Sequence, residues 1–280
     1  MELWKLRRRP LSALLRLCVT LAAGITMFVF LILVGYILVK GIPNLEYSLF
    51  EWEYNSQNVS LVPALINTVS VTMLSLLIAS PLGIFAAIYM NEYARKDNRL
   101  IAVVRIAAET LAGIPSIVYG LFGMLLFVVA LRWGYSLAAG AFTMAVMILP
   151  IIMRTAEEAL KSIPDSYREG SFGLGAGRLR TVFAIVLPPA VPGIMAGIIL
   201  ATGRVVGETA ALIFTAGTVA RVPVSLTSSV RTLSVHMYNL SSEGLHIKQA
   251  YATAVVLLAL VIAINAISSA LAGRIIGGRG

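Results

Sequence analysis

Long apolar runs separated by short polar connections occupy most of this 280-residue chain. A helix needs about 20 apolar residues to cross a hydrocarbon core of about 30 Å, and backbone groups inside lipid must be hydrogen-bonded within the segment itself. We therefore predict an all-α integral membrane protein with six transmembrane helices, at residues 17–39, 64–90, 101–131, 135–153, 191–215 and 250–271. The charged fraction of 12% agrees with this class, because soluble proteins contain about 25%.

Basic residues are distributed unevenly between the connections of these predicted helices. If the N-terminus is cytoplasmic, 16 lysines and arginines lie on the cytoplasmic side and 5 on the other, and Arg204 lies within a predicted helix. Cytoplasmic connections of membrane proteins are enriched in basic residues. We therefore predict that both termini are cytoplasmic. In a membrane protein the placement of the basic residues matters more than their sum, so the net charge of +9 does not indicate a nucleic-acid partner.

The chain divides at about residue 62. Residues 1–62 contain a cytoplasmic segment, the first predicted helix and an external connection in which Trp52 and Tyr54 suit an interfacial position. We interpret the first helix as a retained anchor, since its apolar run is too long for a signal peptide. Residues 63–280 form a five-helix core that includes a long cytoplasmic segment at about 154–189.

The cytoplasmic segment contains the glycine-rich stretch EGSFGLGAGRLRTVFAIVLPP, residues 169–189. This stretch does not have the Gly-Lys-Ser/Thr ending of a nucleotide-hydrolysing loop or the third glycine of a dinucleotide fingerprint. A capping box formed by Ser166 and Glu169 predicts a short helix over 167–174, which Gly175 and Gly177 would end. A second helix would run over 178–187, up to the prolines that precede the fifth transmembrane helix. We expect a small helix-turn-helix on the cytoplasmic face of the membrane.

The spacing of residues in this stretch resembles the EAA loop of binding-protein-dependent ABC importer permeases. That pattern is Glu-Ala-Ala, three residues, Gly, nine residues, Ile, one residue, Leu-Pro, and it is matched here by Glu169, Gly170, Ser171, Gly175, Ile185, Leu187 and Pro188. The departures are two small residues in place of the two alanines. The resemblance implies a type I ABC importer permease fold in which these residues couple the chain to an ATPase.

Three further blocks, at residues 109–123, 154–176 and 203–217, resemble PstA-type permeases of phosphate importers, although sister PstC-type subunits share part of the pattern. This resemblance implies location in a bacterial or archaeal inner membrane. It also implies three partners in addition to membrane lipid: a PstC-type permease, a homodimeric PstB-type ATPase and an extracytoplasmic phosphate-binding protein. The chain itself would need no cofactor, because ATP and Mg²⁺ would be bound by the ATPase.

Arg204 and Glu208 are the charged residues of the fifth predicted helix. Their spacing of four places them on one helical face, where they can pair. Charges inside a membrane are costly and usually face a cavity, so a role in the substrate pathway is one interpretation and bracing of the helix bundle is the other. In the PstA-type family, the arginine and glutamate of the Arg-x-x-Gly-Glu motif are linked to phosphate passage.

Other polar residues have structural interpretations. Arg105 and Glu109 repeat the same spacing near the cytoplasmic end of the third predicted helix, where Arg105 can reach the interface. Pro115 can kink that helix, which would shape either the pathway or the packing. Glu157 and Glu158 are predicted to lie on a solvated helix face. The two histidines, His236 and His246, have no neighbours at metal-ligand spacing, so we predict no metal site.

Three alternatives to a phosphate permease remain at this point. The first is a permease for another oxyanion, such as molybdate, sulfate or phosphonate, since an arginine and a glutamate do not define the size of the anion. The second is a secondary transporter driven by an ion gradient, which the EAA spacing disfavours. The third is a membrane-embedded enzyme, for which the sequence offers no catalytic set of residues.

Overall fold

The structure is a computed structural model that describes residues 10–95 and 98–277. Within this part of the chain the regular elements are helical. The α-helices are α1 Pro10–Gly41, α2 Val62–Ile88, α3 Arg99–Ala112, α4 Ser116–Gly123, α5 Leu137–Lys161, α6 Asp165–Gly173, α7 Arg178–Arg180, α8 Leu187–Val206, α9 Ala210–Thr215, α10 Leu233–Glu243 and α11 Ile247–Gly277. Three π-helical stretches, Tyr89–Tyr93, Met124–Ala130 and Thr181–Val186, extend α2, α4 and α7.

The apolar helices agree with the prediction of an all-α membrane protein. Five continuous helical stretches of the described chain are long and apolar enough to cross a membrane, and a bent pair makes a sixth if it counts as one span. That pair is α3 with α4 and its π-helical extension, bent by 105° at the break. The segment predicted as one continuous helix, 101–131, is therefore broken. Pro115, with φ −59° and ψ 141°, has the extended backbone that separates α3 from α4.

The fifth transmembrane helix differs from the prediction at both ends. It was expected to begin at residue 191, after a separate surface helix, but the helical stretch is continuous from Arg178 to Val206. In a regular α-helix, a proline ring clashes with the carbonyl group four residues earlier in the chain. The carbonyl groups four residues before Pro188 and Pro189 lie in the π-helical turn Thr181–Val186, where the helix is wider. At its C-terminal end α8 stops at Val206, and α9 follows as a separate short helix.

Helix α5 lies at the centre of the bundle. Its residues Met144, Ile148 and Ile152 are fully buried and belong to the main hydrophobic cluster, which includes parts of α2, α8 and α9. A second cluster fills the half of the bundle near α6, where Leu160 of α5 packs with residues at the start of the Arg178–Val206 stretch, such as Val186. Because α5 leads directly towards α6, the position of the cytoplasmic segment is fixed by the core.

Helix α1 lies beside α11 at the edge of this bundle. The rings of Tyr36 and Tyr251 meet edge to face with their centres 5.8 Å apart, and the Cβ position of Gly41 lies against the backbone of Tyr251. Most side chains of α1 are exposed along its apolar length. This exposure is expected for a helix surrounded by lipid or by another membrane subunit.

Candidate functional site

Helix α6 is the predicted docking helix of the cytoplasmic segment. It runs from Asp165 to Gly173 after Pro164, whose backbone has φ −57° and ψ 140°. The predicted capping box is wrong: Ser166 lies inside the first turn, and no side chain caps this end of the helix. The predicted turn is confirmed, because Gly175 has φ +82°, in the left-handed region that glycine adopts without strain.

A surface groove of about 570 Å³ lies between α6 and the start of the next helical stretch. It is lined by Ser166, Tyr167, Gly170, Ser171, Leu174, Gly175, Ala176, Arg180 and Ile185. Four of the seven residues matched to the EAA pattern therefore meet at this groove. Leu174 is 91% exposed at this groove.

The other three residues of the pattern lie outside this groove. Glu169 is exposed on α6, whereas Leu187 and Pro188 are half-buried at the start of α8. The last two lie in the membrane-crossing helix itself because the Arg178–Val206 stretch is continuous. They position the helix that follows the groove, and Glu169 offers a charge on the exposed surface.

Arg168 anchors α6 to the body of the protein. Its Nη2 donates to Glu92 Oε1 at 2.7 Å and its Nε donates to Glu92 Oε2 at 3.2 Å. The guanidinium also donates to the carbonyl oxygens of Leu160 and Ile163 and to the carboxylate of Asp165. The hydrogen bond with Glu92 raises the pKa of Arg168 above its usual value, so the guanidinium stays charged. Sequence spacing did not indicate this pair, since Glu92 is 76 residues away.

Arg204 lies in the last turn of α8 and lines a cavity of about 690 Å³. The cavity wall is formed by Ala112, Ile151, Ala196, Ile199, Leu200, Gly203, Arg204 and Asn265. Arg204 is the charged residue of this wall, and its side chain is exposed. The carbonyl end of a helix favours a cation, which helps to hold the guanidinium at this position.

Glu208 does not pair with Arg204, contrary to the predicted helical pairing. Helix α8 ends at Val206, so the two residues do not share a helical face. Across the described residues, the ion pairs do not include one between these two side chains. Instead, Glu208 Oε1 accepts a hydrogen bond from the backbone N–H of Ala211 at 3.2 Å, and its carbonyl oxygen accepts one from Ser234. Glu208 therefore stabilises the start of α9.

A second cavity, of about 340 Å³, lies beside the Arg204 cavity, towards the end of α5 that precedes α6. Both cavities are lined by Ala112, Ile151 and Leu200, so they adjoin. The second cavity is strongly charged, with a wall that includes Arg105, Glu109, Arg154, Glu157, Glu158 and Lys161.

The ion pairs of this charged cavity join different helices. Arg105 of α3 binds Glu157 of α5 at 2.6 Å, and Lys161 binds the same carboxylate at 2.7 Å. Arg105 was expected beside Glu109 in its own helix, but Glu109 instead lies 3.9 Å from Arg154 of α5. Glu157 was expected on a solvated face, but its side chain is only 8% exposed. Its carboxylate is shared by the two cations Arg105 and Lys161.

His236, considered from the sequence only as a possible metal ligand in a polar connection, is instead a buried helical residue. It lies on α10, is fully buried and meets the ring of Tyr54 edge to face with centres 6.0 Å apart. Burial, together with the nearby charge of Arg231, lowers the pKa of His236 to about 3, so the imidazole is neutral. No group of three or more metal-ligating side chains occurs within the residues that the structure describes.

Comparison with known proteins identifies the family. Residues 79–277 match the model of the family described as binding-protein-dependent transport system inner membrane component. A probable ABC transporter permease protein of Bacillus subtilis, YqgI, is 33% identical over 256 residues, which cover 86% of this chain and 85% of that protein. The phosphate transport system permease protein PstA of Yersinia pestis is 40% identical over 179 residues, covering 63% of this chain and 60% of that protein.

Solved structures agree on the fold. A chain of a bacterial alginate ABC transporter superposes with a TM-score of 0.67 at 18% identity, covering 99% of both chains. A chain of the MetNI methionine ABC transporter gives a TM-score of 0.59 at 20% identity, covering 77% of this chain and 94% of that one. At these identities the likeness concerns the fold, which is that of a type I ABC importer permease. The chain belongs to the family of binding-protein-dependent transport system inner membrane components.

Proposed function

We propose that this chain is a membrane subunit of an ATP-driven importer of inorganic phosphate, and that Arg204 contacts the anion inside the membrane. Arg204 supports the proposal most directly, because its charge stands on the wall of a cavity that is otherwise formed by apolar residues and Asn265. Charged residues within membrane-spanning helices usually mark a substrate pathway. Relatives named phosphate transport system permease protein PstA, which are 36–40% identical over about two thirds of this chain, suggest which anion it carries.

An arginine suits a phosphate contact for geometric and electrostatic reasons. Its planar guanidinium can donate two parallel hydrogen bonds to one oxyanion and remains charged at every physiological pH. Apolar walls screen its charge less than water would, so it attracts an anion into the cavity. A single cation provides a weak site, and passage requires sites that release the ion as readily as they bind it. Glu208 contributes by fixing the break after α8 rather than by pairing with Arg204.

The adjoining charged cavity suggests the route that the anion takes after it leaves Arg204. The walls shared at Ala112, Ile151 and Leu200 connect the Arg204 cavity with the end of α5 that precedes the docking segment. Arg154 lines this second cavity with a side chain that is 58% exposed. An anion that leaves Arg204 therefore passes along α5 towards the cytoplasmic side.

The remaining parts of the importer are proposed to be separate chains. A homodimeric PstB-type ATPase binds ATP and Mg²⁺ and receives α6 and the adjacent groove, where Glu169, Gly170, Ser171 and Gly175 are exposed or half-buried. A PstC-type permease completes the pathway, and an extracytoplasmic phosphate-binding protein delivers the anion. Both termini of this chain are placed in the cytoplasm, in agreement with the distribution of basic residues.

Uptake by a reconstituted complex tests the proposal. We expect vesicles that contain this chain, the second permease and the ATPase to import radiolabelled phosphate when the binding protein and internal ATP are present. Arg204→Gln should abolish uptake in an assembled complex, and Arg204→Lys should reduce it strongly, because lysine keeps the charge but loses the bidentate geometry. Arg221→Gln changes an exposed arginine outside the cavity and serves as the matched control.

The same assay distinguishes phosphate from other substrates. Stimulation of ATP hydrolysis should be measured with phosphate, sulfate, molybdate and a phosphonate in parallel. Normal phosphate uptake by an intact Arg204→Gln complex would contradict the role of Arg204. Uptake that prefers another oxyanion would contradict the assignment of the substrate, and uptake without ATP hydrolysis would indicate a secondary transporter.

A further inference from the structure

We propose that the ion pair between Arg168 and Glu92 transmits movement of the docking helix α6 to α2, which makes Arg168 a positioning residue for transport. This inference rests on the proposed function, because it requires an ATPase that moves α6. It identifies α2 as the transmembrane helix that moves with α6, and it assigns the connection between them to one pair of side chains.

Helix α6 has no buried residue, so apolar packing contributes little to its position. Its described polar attachments to other helical stretches are made by two of its side chains, Arg168 and Ser171. Arg168 binds Glu92 beside the cytoplasmic end of α2, and Ser171 Oγ lies 2.9 Å from Thr181 Oγ1 in the Arg178–Val206 stretch. The first contact is ionic and bidentate, and such pairs are stronger and more directional than a hydrogen bond between two hydroxyl groups.

The pair is also protected from solvent. The side chain of Arg168 is 14% exposed and that of Glu92 is 6% exposed. By contrast, Arg154 and Glu158, which pair on the same side of the protein, are 58% and 63% exposed. Exposed pairs contribute little because water and salt screen them, whereas a buried charge that loses its partner is strongly unfavourable. Arg168 and Glu92 are therefore expected to remain together when α6 is displaced.

Further contacts make this connection rigid. Asn91 Nδ2 donates to Glu92 Oε1 at 2.7 Å, which fixes the carboxylate. Arg168 also donates to the carbonyl oxygens of Leu160 and Ile163, at and just beyond the end of α5, at 3.0 and 2.8 Å. A guanidinium held by both carboxylate oxygens and two carbonyls has little rotational freedom. Displacement of α6 therefore moves Glu92 and, with it, the cytoplasmic end of α2.

The number of phosphate ions imported per ATP hydrolysed tests this link. Glu92→Gln retains the shape of the side chain but removes the charge that holds Arg168. In an assembled complex, ATP hydrolysis should continue while imported phosphate per ATP falls about fivefold or more, the lower end of typical coupling between sites. Arg168→Lys, which keeps a cation beside Glu92 but loses the bidentate contact, should give a smaller fall.

Asp165→Asn is the matched control. It removes the other carboxylate that contacts Arg168, at 3.1 Å, but this contact lies within α6 and does not connect α6 to α2. The ratio of phosphate to ATP should therefore stay at the wild-type value. A ratio that falls equally in Asp165→Asn and Glu92→Gln, or that is unchanged in both, would overturn the proposal. Failure of both Glu92→Gln and Arg168→Lys to assemble would also overturn it, since the pair would then serve assembly.

A second readout does not depend on the transported substrate. Spin labels at Phe85 of α2 and Ile262 of α11, two exposed positions, report movement of α2 within the bundle. We expect ATP to change their separation in the wild type and in Asp165→Asn but not in Glu92→Gln. This result without phosphate uptake would refute the proposed substrate and leave the link intact. A wild-type separation that does not respond to ATP would refute the link.

Discussion

Gly197 of α8 lies against Thr155 of α5 so closely that a Cβ atom at position 197 would overlap the threonine side chain. Four residues earlier, Gly193 faces Ala159 in the same way, with a distance of 2.6 Å from the added Cβ to the alanine Cβ. Small residues spaced by four let two membrane helices approach along one face, and dispersion contacts then hold them together. The contact between α5 and α8 therefore depends on these glycines.

Gly197→Val should separate α5 from α8 and destabilise the subunit by about 1–3 kcal/mol, the usual effect of overpacking. Gly203→Ala is the matched control for stability, since it lies in the same helix with open space around its Cβ position. Thermal unfolding of the purified chain in detergent measures both variants. Equal unfolding temperatures for wild type and Gly197→Val would show that α5 and α8 can separate without loss of stability, and would contradict the prediction.

Gly175→Val should weaken binding of the ATPase subunit. The φ angle of +82° disfavours any residue with a Cβ atom by about 1–2 kcal/mol, and most strongly a β-branched one, so the turn after α6 would rearrange. Gly177→Val changes a neighbouring glycine whose φ of −72° any residue adopts, and open space surrounds both positions. Co-purification with the ATPase should decrease for Gly175→Val and remain for Gly177→Val. The opposite order would contradict a role for the turn geometry.

His236 should make the stability of the protein depend on pH. An unfolded histidine has a pKa of about 6.5, whereas burial lowers the pKa of His236 in the folded chain to about 3. Between these values the unfolded chain binds a proton that the folded chain does not. Stability is therefore fully retained above about pH 6.5, and it falls by about 1.4 kcal/mol for each unit of pH below that value, until about pH 3.

Thermal unfolding of wild type and His236→Leu at pH 7.5 and pH 5 isolates this effect, because other acid-sensitive groups are common to both proteins. We expect a smaller loss of stability on acidification in His236→Leu than in the wild type. His246→Gln, which changes the other histidine, should keep the wild-type pH dependence. An identical loss in wild type and His236→Leu would show that His236 is protonated without cost.

Thiol labelling in intact cells should establish the orientation of the chain. In a background with Cys18 replaced by serine, Ser56→Cys and Ser241→Cys should react with an impermeant reagent from outside, because both positions are exposed in external connections of the predicted topology. Lys161→Cys, at the exposed end of α5, should react only after the membrane is opened. Labelling of Lys161→Cys in sealed cells would invert the orientation.

Several features of this protein follow from the sequence because they are local. The length and hydropathy of a segment decide whether it crosses a membrane, and each apolar segment predicted from the sequence overlaps one of the five continuous apolar stretches or the bent pair. The turn at Gly175 follows from the conformational freedom of one residue. The spacing of Glu169, Gly175 and Pro188 predicts a docking segment, because this pattern lies within one short stretch of the chain. The salt bridge between Arg154 and Glu158 also agrees with a spacing of four within one helix.

The tertiary structure decided that Arg105 meets Glu157 and that Arg204 meets no carboxylate among the described residues. The spacing rule predicted pairs of Arg105 with Glu109 and of Arg204 with Glu208, but neither forms in the described residues. Helix α8 ends before Glu208, and Arg105 meets Glu157 because α3 packs on α5. A charge that is shielded from water by neighbouring helices needs an opposite charge close by. Helix packing, rather than distance along the chain, decides which residue supplies that charge.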